Sequence, residues 1–198
     1  MKYVLTLLMG IYFANPALST PSSGYIDKSI KKAAKKAGVP EVLLKAVCKA
    51  ESLLDAKAFV KDDGDGSNNH AIGLCQVLVT TAETMGFKDE RCHEDFTDRK
   101  SERRYKHCKL FGPYTNALYA ARYLKTKLDK YNGSWINAIA AYNAGSVRIC
   151  SSNGFYYSTR KGIDKTEKYK VQCIPGELIN RKHVDRVIRI LWKLKEEK

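Results

Sequence analysis

Three short polar motifs carry side chains that could perform acid–base chemistry and bind a polar ligand. They are Glu51-Ser52, Gly73-Leu74-Cys75-Gln76 and Ala141-Tyr142-Asn143-Ala144-Gly145. Glu51 lies four residues after Val47 and three before Leu54, so on a helix its carboxyl would lean toward the apolar face. Burial there penalises the carboxylate and raises its pKa, so the side chain can keep a proton near neutral pH and act as a general acid.

The segments that must position these motifs have helical periodicity. Apolar residues recur at three- and four-residue steps within Tyr25 to Ala37, Leu43 to Leu54, Asn116 to Tyr131, Trp135 to Ala144 and Arg181 to Lys195. Gly38 and Pro40 predict the end of the first helix and the start of the second near Glu41. Residues 61–69 are predicted to be a loop, and residues 71–79 either a short strand or a turn into a helix. We therefore expect a mainly α single domain.

The first residues have the pattern of an export signal. Met1-Lys2 precedes an apolar run from Tyr3 to Ala14, and small residues follow in Pro16-Ala17-Leu18-Ser19. We expect residues 1–19 to be a secretory signal peptide and residues 20–198 to be the mature domain. A short core helix is the alternative for this run. With a signal peptide at residues 1–19, the protein would be secreted or periplasmic, without stable insertion in a membrane.

The even number of cysteines, 6, fits such an oxidising compartment. Connectivity does not follow from the sequence. Local bridges Cys92–Cys108 and Cys150–Cys173 are expected, since the first pair flanks a polar stretch and the second a Gly- and Tyr-containing loop. Cys48 and Cys75 lie in apolar surroundings and are compatible with buried thiols.

The formal net charge of +14 favours a polyanionic partner, such as nucleic acid, an anionic membrane or an acidic wall polymer. The basic residues are dispersed over an early helix, a loop and the last helix, which also fits a solvated surface. No recognised nucleic-acid module accompanies them, so no nucleic-acid partner is expected.

In their order and separations, the three motifs resemble the catalytic domain of the lytic transglycosylases of the soluble, goose-lysozyme-like type. The resemblance spans roughly residues 30–189 and includes Asn116 before a helix that contains Tyr123-Leu124. It implies a lysozyme-like domain with a substrate cleft and a short β or loop element. It also implies a monomeric enzyme that acts on peptidoglycan glycan strands and needs no cofactor or metal.

The same resemblance assigns roles to individual residues. Glu51 corresponds to the family's catalytic acid. Ser67, Gln76, Tyr142 and Asn143 correspond to positions that place this acid and bind an acetamido sugar.

Two departures from the family pattern affect the site. His183 stands where the family has a tyrosine near the C-terminus, and it is expected to contact substrate as a hydrogen-bond donor. Cys75 stands at a methionine position, which also permits a bridge to Cys48. The acidic segment from Asp63 to Ser67 resembles the start of a calcium loop but lacks the required Gly and Glu, so a solvated turn is preferred.

No second acid belongs to the three motifs, which suits a substrate-assisted reaction. Glu51 would protonate the bond between N-acetylmuramic acid (MurNAc) and N-acetylglucosamine (GlcNAc), then take the proton of the muramoyl 6-hydroxyl as a 1,6-anhydro ring closes. One alternative is a goose-type lysozyme, in which Asp62, Asp63 or Asp65 would help a water attack. Another is a wall-binding protein without activity.

Overall fold

The computed structural model describes residues 21–60, 69–93, 108–161 and 166–197 of the chain. The helices in these ranges are α1 (Ser23–Ala37), α2 (Glu41–Ser52), α3 (Val79–Thr84), α4 (Pro113–Lys130), α5 (Trp135–Ala144) and α6 (Arg181–Glu196). Two 3₁₀ turns, at Glu90–His93 and Lys109–Phe111, precede α4. The prediction of a mainly α fold is confirmed. The predicted signal peptide and residues 61–68 of the predicted loop lie outside the described residues.

Local signals set the helix ends. Gly38 takes a left-handed conformation with φ 69° and donates its backbone N–H to the carbonyls of the last turn of α1. Pro40 follows and begins α2 at the next residue, as the sequence predicts. At α5 the Ser134 hydroxyl accepts the backbone N–H of Asn137, which caps the helix at its predicted first residue.

The helices bury one continuous apolar core. Helix α1 packs on α4, and α2 packs against α6, α1 and α4. The largest fully buried side chains include Ile30, Leu43, Leu44, Leu124, Ile139 and Val187. Helix α2 is therefore held on several sides, which fixes the direction of every side chain that it carries. None of the helices in the described ranges has both the length and the apolar composition needed to cross a bilayer.

A small antiparallel sheet follows α2. Its strands are β1 (Phe59–Val60), β2 (Ala71–Ile72) and β3 (Val77–Leu78), with Phe59 opposite Ile72 and Ala71 opposite Leu78. A tight turn joins β2 to β3, and α3 begins directly after β3. Both predicted possibilities for residues 71–79 therefore occur in succession.

A longer antiparallel hairpin, β4 (Phe155–Lys161) and β5 (Thr166–Gln172), lies before α6. The prediction that the segment between Cys150 and Cys173 is only a loop was wrong. The backbone pairs from Phe155 with Gln172 through Lys161 with Thr166, so the peptide groups that face the partner strand are hydrogen-bonded.

All the cysteines are paired. The predicted bridges Cys92–Cys108 and Cys150–Cys173 are present, and a third bridge joins Cys48 to Cys75. The expectation of buried thiols at Cys48 and Cys75 was therefore wrong, and the bridge is the correct alternative. Core packing brings α2 against the turn after β2, with the two Cα atoms 4.0 Å apart.

We predict that replacing Cys48 and Cys75 together by alanine lowers the free energy of unfolding by about 3.5 kcal/mol, the chain-entropy value for a loop of this length. The bridge spans 27 residues, and the Cys150–Cys173 bridge spans a similar 23. The matched double alanine variant of Cys150 and Cys173 should thus lose similar stability in urea titrations. Only the first variant should also weaken glycan binding, because its bridge joins α2, which carries Glu51, to the motif that carries Gln76. Equal glycan binding by both variants would contradict this.

Candidate active site

Glu51 lies in the last turn of α2, where the chain leaves the helix abruptly. The next residues, Leu53 and Leu54, both have left-handed backbones, with φ of 58° and 68°. Such conformations are unfavourable for leucine and persist only where surrounding contacts enforce them. One such contact comes from Ser52, whose hydroxyl donates to the Leu74 carbonyl over 2.7 Å. The Glu-Ser pair thus places an acid and ties its helix to the neighbouring turn.

That turn, between β2 and β3, is organised by the buried side chain of Asn116 on α4. The Asn116 carbonyl accepts the Cys75 N–H at 2.9 Å. Its amide donates to the carbonyls of Ile72 at 2.6 Å and Leu110 at 3.0 Å. Gly73 has φ 73°, and a Cβ there would come 2.7 Å from the Asn116 amide nitrogen. The Gly-Leu-Cys-Gln motif therefore begins with the residue that this approach requires.

Gln76 ends the turn in a left-handed conformation with φ 47°. Its side-chain amide donates to the Gly73 carbonyl at 3.0 Å, which leaves its carbonyl side directed away from that bond. Tyr142, on α5, donates its hydroxyl to the Cys75 carbonyl at 3.0 Å, and its ring packs against Tyr123 with centroids 5.3 Å apart. The tyrosine thus supports the turn that presents Gln76.

These elements enclose a cleft of about 580 Å³. Its described lining residues are Glu51, Val60, Ala71, Gln76, Val77, Leu78, Thr81, Tyr123, Tyr142, Asn143, Ala144 and Gly145. Glu51 is the only acid among them. A cleft with apolar walls and a few polar groups suits a ligand that has both apolar faces and hydrogen-bonding substituents.

The Glu51 side chain is 14% exposed, so its carboxyl is largely removed from water while still reaching the cleft. Desolvation raises its pKa from 4.5 to about 7, and the positive charge of Arg186 partly opposes this effect. Burial on the apolar face of α2 was the predicted cause. Near neutral pH the carboxyl can therefore both donate and accept a proton.

His183 lies in the first turn of α6 and is buried, with 8% of the residue exposed. Its Nε2 atom is 3.6 Å from the Glu51 Oε1 atom, and Arg186 lies against its Nδ1 atom at 3.2 Å. The pKa of His183 is lowered from 6.5 to about 4, mainly by burial and to a smaller extent by the positive charge of Arg186. His183 is not among the described lining residues of the cleft. It contacts the acid, and contact with substrate stays a prediction.

Asn143 is exposed at the end of α5 and lines the cleft. The Asn180 amide, at the start of α6, donates to the Asn143 side-chain carbonyl at 3.1 Å and to the Ala140 backbone carbonyl at 2.8 Å. Asn143 is thus held in place from the neighbouring helix, while its own amide N–H group donates to no described side chain or backbone group.

Of the predicted site residues, Glu51, Gln76, Tyr142 and Asn143 come together in one cleft. Ser67 lies outside the described residues, as do the Asp side chains proposed for a water-assisted reaction. Sequence reasoning missed Arg186. Its spacing of three residues from His183 on a predicted helix was the signal that could have found it.

The family model described as the Transglycosylase SLT domain matches residues 28–162. This chain therefore belongs to that family. The match covers all three motifs that define the cleft.

Solved structures to which this chain is similar include an inactive mutant of lytic transglycosylase Slt from Pseudomonas aeruginosa, with 21% identity and a TM-score of 0.44. That likeness covers 68% of this chain and 19% of the other. The 70 kDa soluble lytic transglycosylase from Escherichia coli has 22% identity and a TM-score of 0.44, over 60% of this chain and 16% of that one. This chain thus spans less than a fifth of these proteins.

We predict that Asn116→Ala lowers the free energy of unfolding by about 3 kcal/mol, because it leaves the Cys75 N–H and the carbonyls of Ile72 and Leu110 without their partner. Thermal or urea unfolding measures this. Asn137→Ala, at a partly exposed position of α5, is the control and should change stability by less than about 1 kcal/mol. Equal losses in the two variants would contradict the role given to Asn116.

A second prediction concerns the dependence of stability on pH. The folded chain holds the Glu51 proton more tightly than the unfolded chain, so ionisation of Glu51 destabilises the fold as pH rises from 4.5 to about 7. Relative to Glu51→Gln, the wild type should lose about 3 kcal/mol across this window and no more above it. Comparing the two proteins at each pH cancels other groups, and a constant difference would refute the raised pKa.

Proposed function

We propose that this protein is a peptidoglycan lytic transglycosylase that cleaves the MurNAc-(β1,4)-GlcNAc bond without water. The observation that carries the proposal is a single, largely buried glutamic acid on the wall of the cleft, in a chain that belongs to the Transglycosylase SLT domain family. A carboxyl that is protonated at neutral pH can give the glycosidic oxygen the proton that it needs to leave as a sugar alcohol.

In the proposed reaction, Glu51 first gives its proton to the glycosidic oxygen as the bond to the MurNAc anomeric carbon breaks. The resulting carboxylate then removes the proton from the C6 hydroxyl of the same MurNAc, and that oxygen attacks the anomeric carbon. The products are a strand that ends in 1,6-anhydro-MurNAc and a strand with a free GlcNAc 4-hydroxyl. Glu51 regains its proton, so one residue serves both steps.

The lining of the cleft supports binding of a glycan. Val60 and Leu78 are 59% and 40% exposed, and with the Tyr123 ring they offer apolar surface for the faces of sugar rings. The amide of Asn143 and the carbonyl of Gln76 are suited to acetamido groups and hydroxyls. Such a division between apolar walls and few polar groups gives both affinity and orientation.

The number of carboxyl groups among the described residues of the cleft favours ring closure over hydrolysis. Hydrolysing glycosidases use two carboxyl groups about 5 to 10 Å apart, whereas Glu51 is the only acid among the described residues that line the cleft. Since the C6 hydroxyl is already tethered to the reacting sugar, proximity replaces a second catalytic group.

A goose-type lysozyme is the competing proposal, because Asp62, Asp63 and Asp65 follow closely after Val60, which lines the cleft. It would need one of these carboxylates to orient water. Digestion in ¹⁸O-labelled water separates the two, because hydrolysis places the label on the new reducing end whereas ring closure leaves it out.

We further propose that the protein acts as an exported monomer in the periplasm or outside the cell, where glycan strands are accessible. The three disulfides support this location, because they form in oxidising compartments.

For the activity itself, we predict that Glu51→Gln lowers release of anhydromuropeptides from purified sacculi by at least about 10²–10⁴-fold, because the amide can neither donate nor accept the required proton. Mass spectrometry identifies the anhydro products, which are lighter by one water than hydrolysed ones. Glycan binding should persist, since Gln76 and Asn143 remain.

The matched control is Glu41→Gln, the same chemical change in the first turn of the same helix and outside the cleft. It should keep wild-type activity. A folded Glu51→Gln protein, checked by circular dichroism, that still releases anhydro products at the wild-type rate would overturn the proposal.

A further inference from the structure

A histidine occupies the space directly beside the proposed acid, and its environment determines where its proton lies. The His183 Nε2 atom faces the Glu51 Oε1 atom at 3.6 Å and has no hydrogen-bond partner among the described residues. At its other ring nitrogen, the Arg186 guanidinium approaches Nδ1 at 3.2 Å. The three side chains therefore form a line from the exposed surface of α6 to the wall of the cleft.

The chemistry of the guanidinium settles the tautomer. Arginine has five N–H donors, no acceptor, and stays protonated in proteins, so Nδ1 must accept from Arg186 with its lone pair. Burial keeps the imidazole neutral, since its pKa is about 4. A neutral imidazole with an unprotonated Nδ1 carries its single proton on Nε2, the atom that faces Glu51.

We propose that Arg186 and His183 act as a positioning pair for Glu51, in which Arg186 holds the imidazole with its Nε2–H directed at the carboxyl. The pair serves the function proposed above. It matters most after Glu51 has given up its proton, when a fixed neutral donor and a cation stabilise the carboxylate. The separation of 3.6 Å is longer than a hydrogen bond, and such bonds often shorten once substrate closes the site.

The other described ionisable groups near Glu51 do not duplicate this function. Tyr142, from α5, directs its hydroxyl to the Cys75 carbonyl, and burial together with the Glu51 charge raises its pKa well above 10. Tyr123, from α4, is a phenol whose ring packs against the Tyr142 ring with centroids 5.3 Å apart. Helix α6 alone therefore supplies both a cation and a free N–H to the acid within the described part of the chain.

The first test is independent of catalysis. In ¹⁵N-histidine-labelled wild-type protein, the His183 ring should show a protonated Nε2 and an unprotonated Nδ1 between pH 6 and 8, with the signals assigned by their loss in His183→Gln. A protonated Nδ1 in the wild type overturns the proposal. The proposed function is untouched by that result, since cleavage is measured separately.

The second test follows the Glu51 carboxyl by ¹³C NMR. Arg186→Met should raise the pKa of Glu51 by about one pH unit, because the carboxylate loses a charge and a fixed donor. The control is Arg189→Met, which removes the same charge from an exposed position on α6, where Arg189 bonds only weakly to the Asp185 carbonyl at 3.4 Å. That variant should leave the Glu51 pKa unchanged.

A double-mutant cycle separates the pair from simple charge attraction. His183→Leu should also raise the Glu51 pKa, and Arg186→Met should add clearly less in the His183→Leu background than alone. His183→Gln, whose amide can place an N–H near the same point, should stay close to wild type. Additive effects, or no effect of His183→Leu, would show that Arg186 acts without the histidine and would sink the proposal.

Activity gives the last readout. The alkaline limb of the pH profile of anhydromuropeptide release should move to higher pH in Arg186→Met, by the same amount as the Glu51 pKa. A merely structural role would instead lower activity equally at every pH. If the NMR results hold and the protein releases no anhydro product, the pair stands and the proposed function fails.

Discussion

One buried amide organises the site. Through the hydrogen bonds of Asn116 to Ile72 and Cys75, α4 fixes the tight turn between β2 and β3 from inside the core, and a third bond ties the same amide to Leu110. The same turn is held from α2 by the Ser52 hydroxyl and the Cys48–Cys75 bridge, and from α5 by Tyr142. Three helices therefore converge on a few residues of backbone, and the positions of Glu51 and Gln76 relative to each other follow from that convergence.

Glu51, at this junction, keeps its proton at a higher pH than a glutamic acid in water would. Packing of α6 against α2 removes solvent from the Glu51 carboxyl, which penalises its charge, yet the same helix brings Arg186 near enough to limit the penalty. A carboxyl that is buried without such a partner would hold its proton too tightly to release it. The balance between desolvation and a nearby cation thus places the pKa near 7, where transfer in either direction is possible.

Local patterns in the sequence were sufficient for most helices and for the burial of the Glu51 carboxyl. The bounds of Trp135–Ala144 and the apolar surroundings of Glu51 were predicted because helical periodicity determines which residues share a face. The β4–β5 hairpin was missed, although its Tyr- and Thr-containing strands have a β-favouring composition. The Cys48–Cys75 bridge stayed one of two possibilities because it depends on how distant segments pack. The contact of Arg186 with His183 was missed, although their spacing on a predicted helix indicated it.

The connections around the turn have a consequence for the order of folding. Ser52 reaches across 22 residues to its partner, Asn116 across 41 to Cys75, and Tyr142 across 67 to the same residue. Contacts between segments so far apart in the chain must overcome loop-closure entropy, so we expect them to form after the local turns of α2 and α5. Until those distant contacts form, Glu51 is an ordinary solvated glutamate. The raised pKa of Glu51 is therefore among the last properties that the folding chain acquires.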